Sequence, residues 1–324
     1  MTNPRLVKLI SPGVLESKYD GAGSQGQFAA LGGVLVFLVS DDLNSQTREA
    51  WRSDGSAEGT FRLATDLRSG LYVHEDSLFF NTSQGLWISD GYAGGGKQLN
   101  PYVGNDYIGS IARLGDTLIA STRNGLGLLD KKNVSFSQFS TRSIGSLVIV
   151  SIDNSLYFSS RDRSFGPNVN IKLWKSDGTA AGTVQVADIK PGSRTEDSSD
   201  PRRLTVHGKS LLFIAEDGVN GFELWKSDGT AKGTTLVADI NPGIGSSIHG
   251  FSSEGYQFPI YSNNIYFSAT DGVSGYELWK SDGSSTGTKR VADINPGPSG
   301  SGPRELTVVG ETLFFLITHK PPRP

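Results

Sequence analysis

One phrase recurs along this chain, and it restricts the possible folds more than any other feature of the sequence. It reads LWKSDGTAAGTVQVADIKPG at 173–192, LWKSDGTAKGTTLVADINPG at 224–243 and LWKSDGSSTGTKRVADINPG at 278–297. Weaker copies begin at 50 (AWRSDGS) and 85 (GLWISDGY), and GLGLLDKK at 125–132 has lost both the Trp and the Asp-Gly pair. Self-similarity at a period of about 40–50 residues is the signature of a repeat architecture.

A second signature precedes each copy: an apolar run, a turn residue, and another apolar run that usually ends in an aromatic residue. These hairpins define repeats one to seven, at 28–37, 71–80, 111–120, 148–158, 204–213, 258–267 and 306–315. Short apolar runs bounded by Gly, Asn or Asp predict strands joined by tight turns, and no window shows helical periodicity. In repeat five the predicted strands are 203–207, 210–215, 222–226 and 234–239.

Four strands per repeat predict an all-β fold, a seven-bladed β-propeller that spans residues 1–324 as a single domain. The segment LVKLISPG at 6–13 matches the fourth-strand pattern without three strands before it. We expect it to pair in the C-terminal blade and close the ring, which would remove an open sheet edge. No LWKSDG run follows the last hairpin, which predicts either a three-stranded seventh blade or a strand supplied by a partner.

The residues of the repeated motif have structural explanations. Trp lies two positions before the Ser, on a sheet face, and is expected to fill the widening gap between blades; these residues are Trp51, Trp87, Trp174, Trp225 and Trp279. Asp before Gly is a turn pair whose carboxylate caps nearby backbone N–H groups. This applies to Asp54, Asp90, Asp177, Asp228 and Asp282, and the strand-end Asp188, Asp239 and Asp293 are interpreted in the same way. The alternative is calcium, although each loop offers one acidic ligand where several are needed.

Composition excludes several classes of function. The chain has no Cys, which removes disulfides, thiolate nucleophiles and Cys-type metal sites. A formal net charge of −3 makes nucleic acid an unexpected partner, and no apolar run approaches the length of a membrane-spanning helix. The first residues lack a signal peptide, so we expect the protein to be cytoplasmic, already processed or exported without an N-terminal leader. No HExxH, GxSxG or nucleotide-binding glycine pattern occurs in its required context, so no cofactor is expected apart from possible calcium.

Candidate binding residues lie where the copies depart from the consensus. Loops whose sequence differs from the one that the repeat structure requires commonly carry function. The segment before the Trp strand is EDGVNGFELW in repeat five but RDRSFGPNVNIKLW in repeat four and SDDLNSQTREAW in repeat one. The candidates are Arg161, Asp162, Arg163, Asp41, Asp42, Arg48, Tyr102 and Tyr107. The alternative for each is a solvated loop residue.

The motif resembles that of the bacterial ELWxxDGT-repeat proteins. The match is specific over 173–297, recognisable over 50–99 and weak over 100–172. The resemblance implies a propeller-like repeat in a protein that is often exported or associated with the cell surface. A related propeller forms one domain of cyanobacterial enzymes that join alkyl halides to resorcinol rings or carboxylates, but their calcium-binding domain has no counterpart in this chain.

Three functions are consistent with the sequence. The first is a non-enzymatic binding or assembly propeller that recognises a protein or carbohydrate partner. The second is an enzyme with its site at the mouth of the central channel, where the resemblance suggests alkylation or other carbon-bond chemistry on an aromatic substrate. The third is a structural subunit of a large assembly that docks through the incomplete seventh blade.

Overall fold

The computed structural model describes residues 28–39, 48–68, 71–101, 108–122, 125–130, 135–140, 144–162, 170–192, 194–248, 257–309 and 311–318. Within these ranges the protein is all-β, with strands connected by turns, one short 3₁₀ turn at Thr195–Asp197 and no α-helix. Contacts group the chain into two units, one of residues 1–111 and 117–138 and the other of residues 112–116 and 139–324. The single-domain prediction is not tested by this grouping and stays a prediction.

The first three repeats form strands β1 to β12. Their bounds are β1 Phe28–Leu31, β2 Val34–Val39, β3 Arg48–Ser53, β4 Phe61–Leu67, β5 Tyr72–His74, β6 Ser77–Thr82, β7 Gly85–Ser89, β8 Lys97–Pro101, β9 Ile108–Leu114, β10 Thr117–Thr122, β11 Gly125–Asp130 and β12 Ser135–Ser140. Strands β1–β4 pair in chain order, and so do β5–β8, with one pair, Leu67 and Thr82, joining the two sets into an eight-stranded sheet. Strands β9–β12 form a separate four-stranded sheet.

The remaining repeats form strands β13 to β26. Their bounds are β13 Ile144–Ile152, β14 Ser155–Asp162, β15 Asn170–Ser176, β16 Val184–Ala187, β17 Arg202–His207, β18 Ser210–Glu216, β19 Phe222–Ser227, β20 Thr235–Ala238, β21 Ile260–Tyr261, β22 Asn264–Thr270, β23 Tyr276–Ser281, β24 Lys289–Arg290, β25 Arg304–Val309 and β26 Thr312–Leu316. Three antiparallel four-stranded sheets follow in chain order, β13–β16, β17–β20 and β21–β24, and then the two-stranded sheet β25–β26. The strands of repeat five match the sequence prediction to within one residue at every end.

The hydrophobic core of the second contact unit lies between successive sheets. On β18, Leu211, Phe213 and Ala215 pack against the sheet β13–β16. The alternate residues Leu212 and Ile214 pack against the sheet β21–β24. A strand that is buried on both faces needs a continuous apolar run, which explains why SLLFIA has no polar residue after its Ser.

Each tryptophan pairs across strands with a phenylalanine. The register places Phe37, Phe80, Phe158, Phe213 and Phe267 directly opposite Trp51, Trp87, Trp174, Trp225 and Trp279. Trp225 lies in the core between β13–β16 and β17–β20, and Trp279 packs on the core between β17–β20 and β21–β24. Burying an aromatic side chain of this size stabilises a fold by about 2–3 kcal/mol.

Repeat three replaces this aromatic pair by a different arrangement. Ala120 and Gly127 stand opposite each other at the positions that hold Phe and Trp elsewhere. The ring of Phe136, from the fourth strand β12, lies so close over Gly127 that a Cβ there would overlap it. An aromatic side chain from a different strand therefore fills the space of the missing Trp, and the degenerate sequence retains a packed sheet.

The segment 6–13, predicted to close the ring, lies outside the described residues. Ring closure and the number of blades remain predictions.

Candidate functional site

The SDGT turn, the most repeated motif of the chain, is internally satisfied. In repeat five the Asp228 carboxylate accepts hydrogen bonds from the Thr230 amide at 2.9 Å and the Thr230 hydroxyl at 2.7 Å. The Thr230 hydroxyl oxygen accepts from the Gly233 amide at 3.0 Å, and the Thr234 hydroxyl donates to the Thr230 carbonyl at 2.7 Å. Hydrogen bonds to Thr230 hold the pKa of Asp228 below its usual value.

The same geometry recurs in other repeats. A Cβ on Gly59, Gly95, Gly182, Gly233 or Gly287 would overlap the carboxylate of the turn aspartate, Asp54, Asp90, Asp177, Asp228 or Asp282 respectively. Each of these carboxylates bonds to its own turn. In the part of the chain that the structure describes, no three His, Cys, Asp or Glu side chains group so as to hold a metal ion. Calcium binding was not tested and stays a prediction.

The glutamate of the ELW motif has a structural role that the sequence analysis missed. Glu223 and Glu277 are both 0% exposed. The Glu277 carboxylate accepts from the amides of Ile294 at 3.1 Å and Asn295 at 3.1 Å, from the Ser301 amide at 2.9 Å and from the Ser301 hydroxyl at 2.6 Å. Glu223 makes the equivalent bonds to Ile240, Asn241 and Ser247. The glutamate therefore anchors the long loop that follows the fourth strand.

Repeat four inverts the polarity of this anchor. Lys172 occupies the position of the glutamate and is 3% exposed. Its ammonium group donates to the carbonyls of Lys190 and of Asp197, the latter at 2.9 Å, and pairs with the Asp188 carboxylate. The loop turns carbonyls inward here, whereas repeats five and six turn amides inward, so the charge of the anchoring side chain is reversed with the polarity of the loop.

A pocket of about 400 Å³ lies within the second contact unit. It is lined by the start of repeat six, the strand β25 and one side chain of β17: Arg203, Gln257, Phe258, Pro259, Ile260, Tyr266, Glu305, Leu306, Thr307 and Val308. Its size is in the range of small-ligand sites, and its wall mixes an apolar surface with a few polar side chains, as such sites usually do.

Three polar residues of this pocket occupy one and the same repeat position. The first hairpins align by register, because Val206 pairs with Leu211, Ile260 with Ile265 and Val308 with Leu313. Counting back three residues from Val206, Ile260 and Val308 reaches Arg203, Gln257 and Glu305. Three successive repeats therefore direct a cation, an amide and a carboxylate to one pocket.

The backbone is unusual at two of these residues. Arg203 has a φ of 55° and Glu305 a φ of 60°, and each lies at a register shift of its first strand. A left-handed conformation costs a non-glycine residue about 1–3 kcal/mol, and such residues concentrate at functional sites. A bulge also re-aims the side chain that it carries. The two charged residues thus share a backbone distortion that a plain strand does not need.

The electrostatics of the pocket favour hydrogen bonding. The Arg203 guanidinium lies 5.5 Å from the centroid of the Phe258 ring, and Arg203 is only 9% exposed. Gln257 and Glu305 are exposed. Burial raises the pKa of Tyr266 above its usual value, with a smaller contribution from Tyr261, so its hydroxyl keeps its proton. The pocket wall therefore offers hydrogen-bond donors from Arg203 and Tyr266 and an acceptor from Glu305. The side-chain amide of Gln257 can both donate and accept.

The candidate residues from the divergent loops are placed as follows. Arg161 and Asp162 end β14, where their backbones pair with Ile171 and Asn170. Arg48 begins β3 and pairs with Leu67. Asp41, Asp42, Tyr102, Tyr107 and Arg163 lie outside the described residues. The proposal that these side chains form one site stays a prediction.

Comparison with known proteins gives similarity to solved structures only. No protein-family model matches the chain, and no curated protein matches it with significant similarity. The β-propeller domain of the Trilobed protease from Pyrococcus furiosus is 11% identical, with 84% of this chain and 86% of that chain covered and a TM-score of 0.47. BamB from Moraxella catarrhalis is 15% identical, with 89% and 79% covered and a TM-score of 0.42.

A puromycin-hydrolyzing peptidase from Mycobacterium tuberculosis is 14% identical, with 59% of this chain covered and a TM-score of 0.40. The chain spans 34% of the length of that peptidase. The described part of the chain contains no helix of the length and apolarity that a membrane span requires.

Proposed function

We propose that this protein is a non-enzymatic binding propeller of the ELWxxDGT-repeat type, with seven blades in a ring closed by the segment 6–13. Its ligand is a carbohydrate, held in the pocket of Arg203, Gln257 and Glu305. The fold part of the proposal is supported by the sheets of four sequential antiparallel strands, each built from one sequence repeat. The placement of three different polar side chains at one repeat position carries the functional part.

The chemistry of the pocket suits a hydroxyl-rich ligand. Arginine, glutamine and glutamate are planar groups with paired donors or acceptors, which can bridge two neighbouring hydroxyls of a sugar ring. The exposed face of Ile260 and the half-buried Leu306 and Val308 offer an apolar surface for the C–H face of the ring. A concave pocket of about 400 Å³ is also of the size that encloses one small ligand.

A comparison of equivalent positions in the repeats also indicates which position serves a function. At the anchor position the side chain is complementary to the polar groups of the loop that it binds. The turn aspartate likewise accepts the hydrogen bonds of its own turn. At the position of Arg203, Gln257 and Glu305 the residue type changes from repeat to repeat, and two of the three side chains are exposed. A ligand with a distinct group facing each repeat accounts for this change.

The test is a glycan array followed by calorimetric titration of the glycans that bind. We expect Glu305→Gln to weaken binding about tenfold or more, because a hydrogen bond to a charged group contributes about 1.5–3 kcal/mol. Gln257→Ala should weaken binding about two- to tenfold, because a neutral hydrogen bond contributes about 0.5–1.5 kcal/mol. Both side chains are exposed, so both variants should fold like the wild type. Glu311→Gln, an exposed glutamate outside the pocket, is the matched control. The proposal fails if no glycan binds, or if the affinity of a bound glycan is the same in all three variants.

A further inference from the structure

The second strand of repeat seven has a sheet edge without a partner among the residues that the structure describes. Strand β26 pairs with β25 and, within the described residues, with no other strand. Phe314 is 56% exposed and Leu316 is 55% exposed, although the matching residues of repeat five, Leu212 and Ile214, are buried. Natural sheets usually protect such an edge with a charge, a proline or a bulge. The sequence of β26, TLFFL, has none of these in the strand itself.

The register identifies what this edge lacks. Val308 pairs with Leu313 as Val206 pairs with Leu211, so Phe315 stands at the position of Phe213. In repeats one, two, four, five and six the phenylalanine of this position lies opposite a tryptophan of the third strand. Phe315 is half-buried and has no third strand beside it in the described residues.

The missing tryptophan cannot come from within this sequence. The chain contains five Trp, and each already pairs with the phenylalanine of its own repeat. A third strand that places a tryptophan opposite Phe315 must therefore come from outside these 324 residues, which leaves the fourth-strand position of this blade to the segment 6–13.

We propose that the edge of β26 binds an extended segment of the type Glu-Leu-Trp-Lys-Ser from outside this sequence. In repeat five Leu224 lies opposite Ile214, Trp225 opposite Phe213 and Lys226 opposite Leu212. By the same register the Leu of the bound segment lies opposite Leu316, its Trp opposite Phe315 and its Lys opposite Phe314. Backbone hydrogen bonds of the added strand supply affinity, and the alternating side chains supply specificity. This site is independent of the ligand pocket.

A peptide copy of residues 275–284, GYELWKSDGS, is the probe. With a fluorescein label it should bind the full chain saturably in an anisotropy titration, and hydrogen exchange of the β26 amides should slow when it binds. A peptide with Ala in place of the Trp should bind at least tenfold more weakly, and a scrambled peptide should not bind. Phe314→Ser and Leu316→Ser change exposed side chains, so they should fold and bind more weakly.

The absence of cysteine in the chain permits a direct test of the register. With oxidised glutathione as the oxidant, Phe314→Cys should form a disulfide with a peptide carrying Cys in place of its Lys, and not with one carrying Cys in place of its Glu. The proposal is overturned if the peptide does not bind, if the scrambled peptide binds equally well, or if binding leaves the β26 amides unprotected. It is also overturned if the chain dimerises through β26 and excess peptide does not dissociate the dimer.

Discussion

Replacement of the buried glutamate of repeat six by alanine tests how the long loops of this fold are held. Glu277→Ala removes the acceptor of three backbone amides and one hydroxyl. The amides of Ile294 and Asn295 are partly exposed, so water can replace the carboxylate there, whereas both Ser301 bonds are buried. A buried polar group left without a partner costs about 1–3 kcal/mol. With two such groups and the cavity, the variant should lose about 3–5 kcal/mol of stability, much of the typical 5–15 kcal/mol of a domain.

The assay combines a global and a local measurement. Urea unfolding, followed by tryptophan fluorescence, gives the loss of stability, and hydrogen exchange reports on the amides of 294, 295 and 301 individually. Glu277→Gln keeps one acceptor oxygen and should fall between the wild type and Glu277→Ala. The exposed Glu58→Ala is the matched control and should change stability by less than about 0.5 kcal/mol.

Two results would refute this reasoning. One is a Glu277→Ala protein that unfolds at the wild-type urea concentration. The other is a destabilised protein whose three loop amides exchange no faster than in the wild type, because the lost stability would then come from elsewhere than the loop anchor.

Four further outcomes are expected. Burial raises the pKa of Glu223 to about 7 from 4.5. The contribution of the protonated Glu223 to stability is therefore complete below pH 4.5 and is lost as the pH rises to about 7. In urea unfolding, the wild type should lose about 3 kcal/mol of stability over this range relative to Glu223→Gln. Gly233→Ala should destabilise by about 1–3 kcal/mol, because the new methyl group overlaps the Asp228 carboxylate, and Asp228→Ala in the same chain should relieve part of this loss in a thermal melt. Gly127→Ala should destabilise in the same assay through its overlap with Phe136, and the double variant with Phe136→Leu should recover stability. A chelator should leave the thermal midpoint unchanged if no calcium is bound, and a fall in the midpoint would show that it is.

The strands and the turns were predictable because their signals are local. Alternating apolar runs, Asp-Gly pairs and a fixed period each lie within a few residues of the structure that they produce. The role of the ELW glutamate was not predictable in this way, since the amides that Glu277 holds are 17 to 24 residues further along the chain. Prediction of the pocket requires more information still, because Arg203, Gln257 and Glu305 align only when the register of three hairpins is known.

Loss of the consensus proved an incomplete guide to function in this chain. Repeat three lost its Phe–Trp pair, yet Phe136 packs over Gly127 in its place, so the divergence there has a structural cause. Repeat four lost the anchor glutamate, yet Lys172 holds a loop of opposite polarity. In both cases a changed side chain still satisfies its surroundings. A better criterion is a position whose side chain changes in chemistry while it stays exposed, and in the described residues Gln257 and Glu305 meet it.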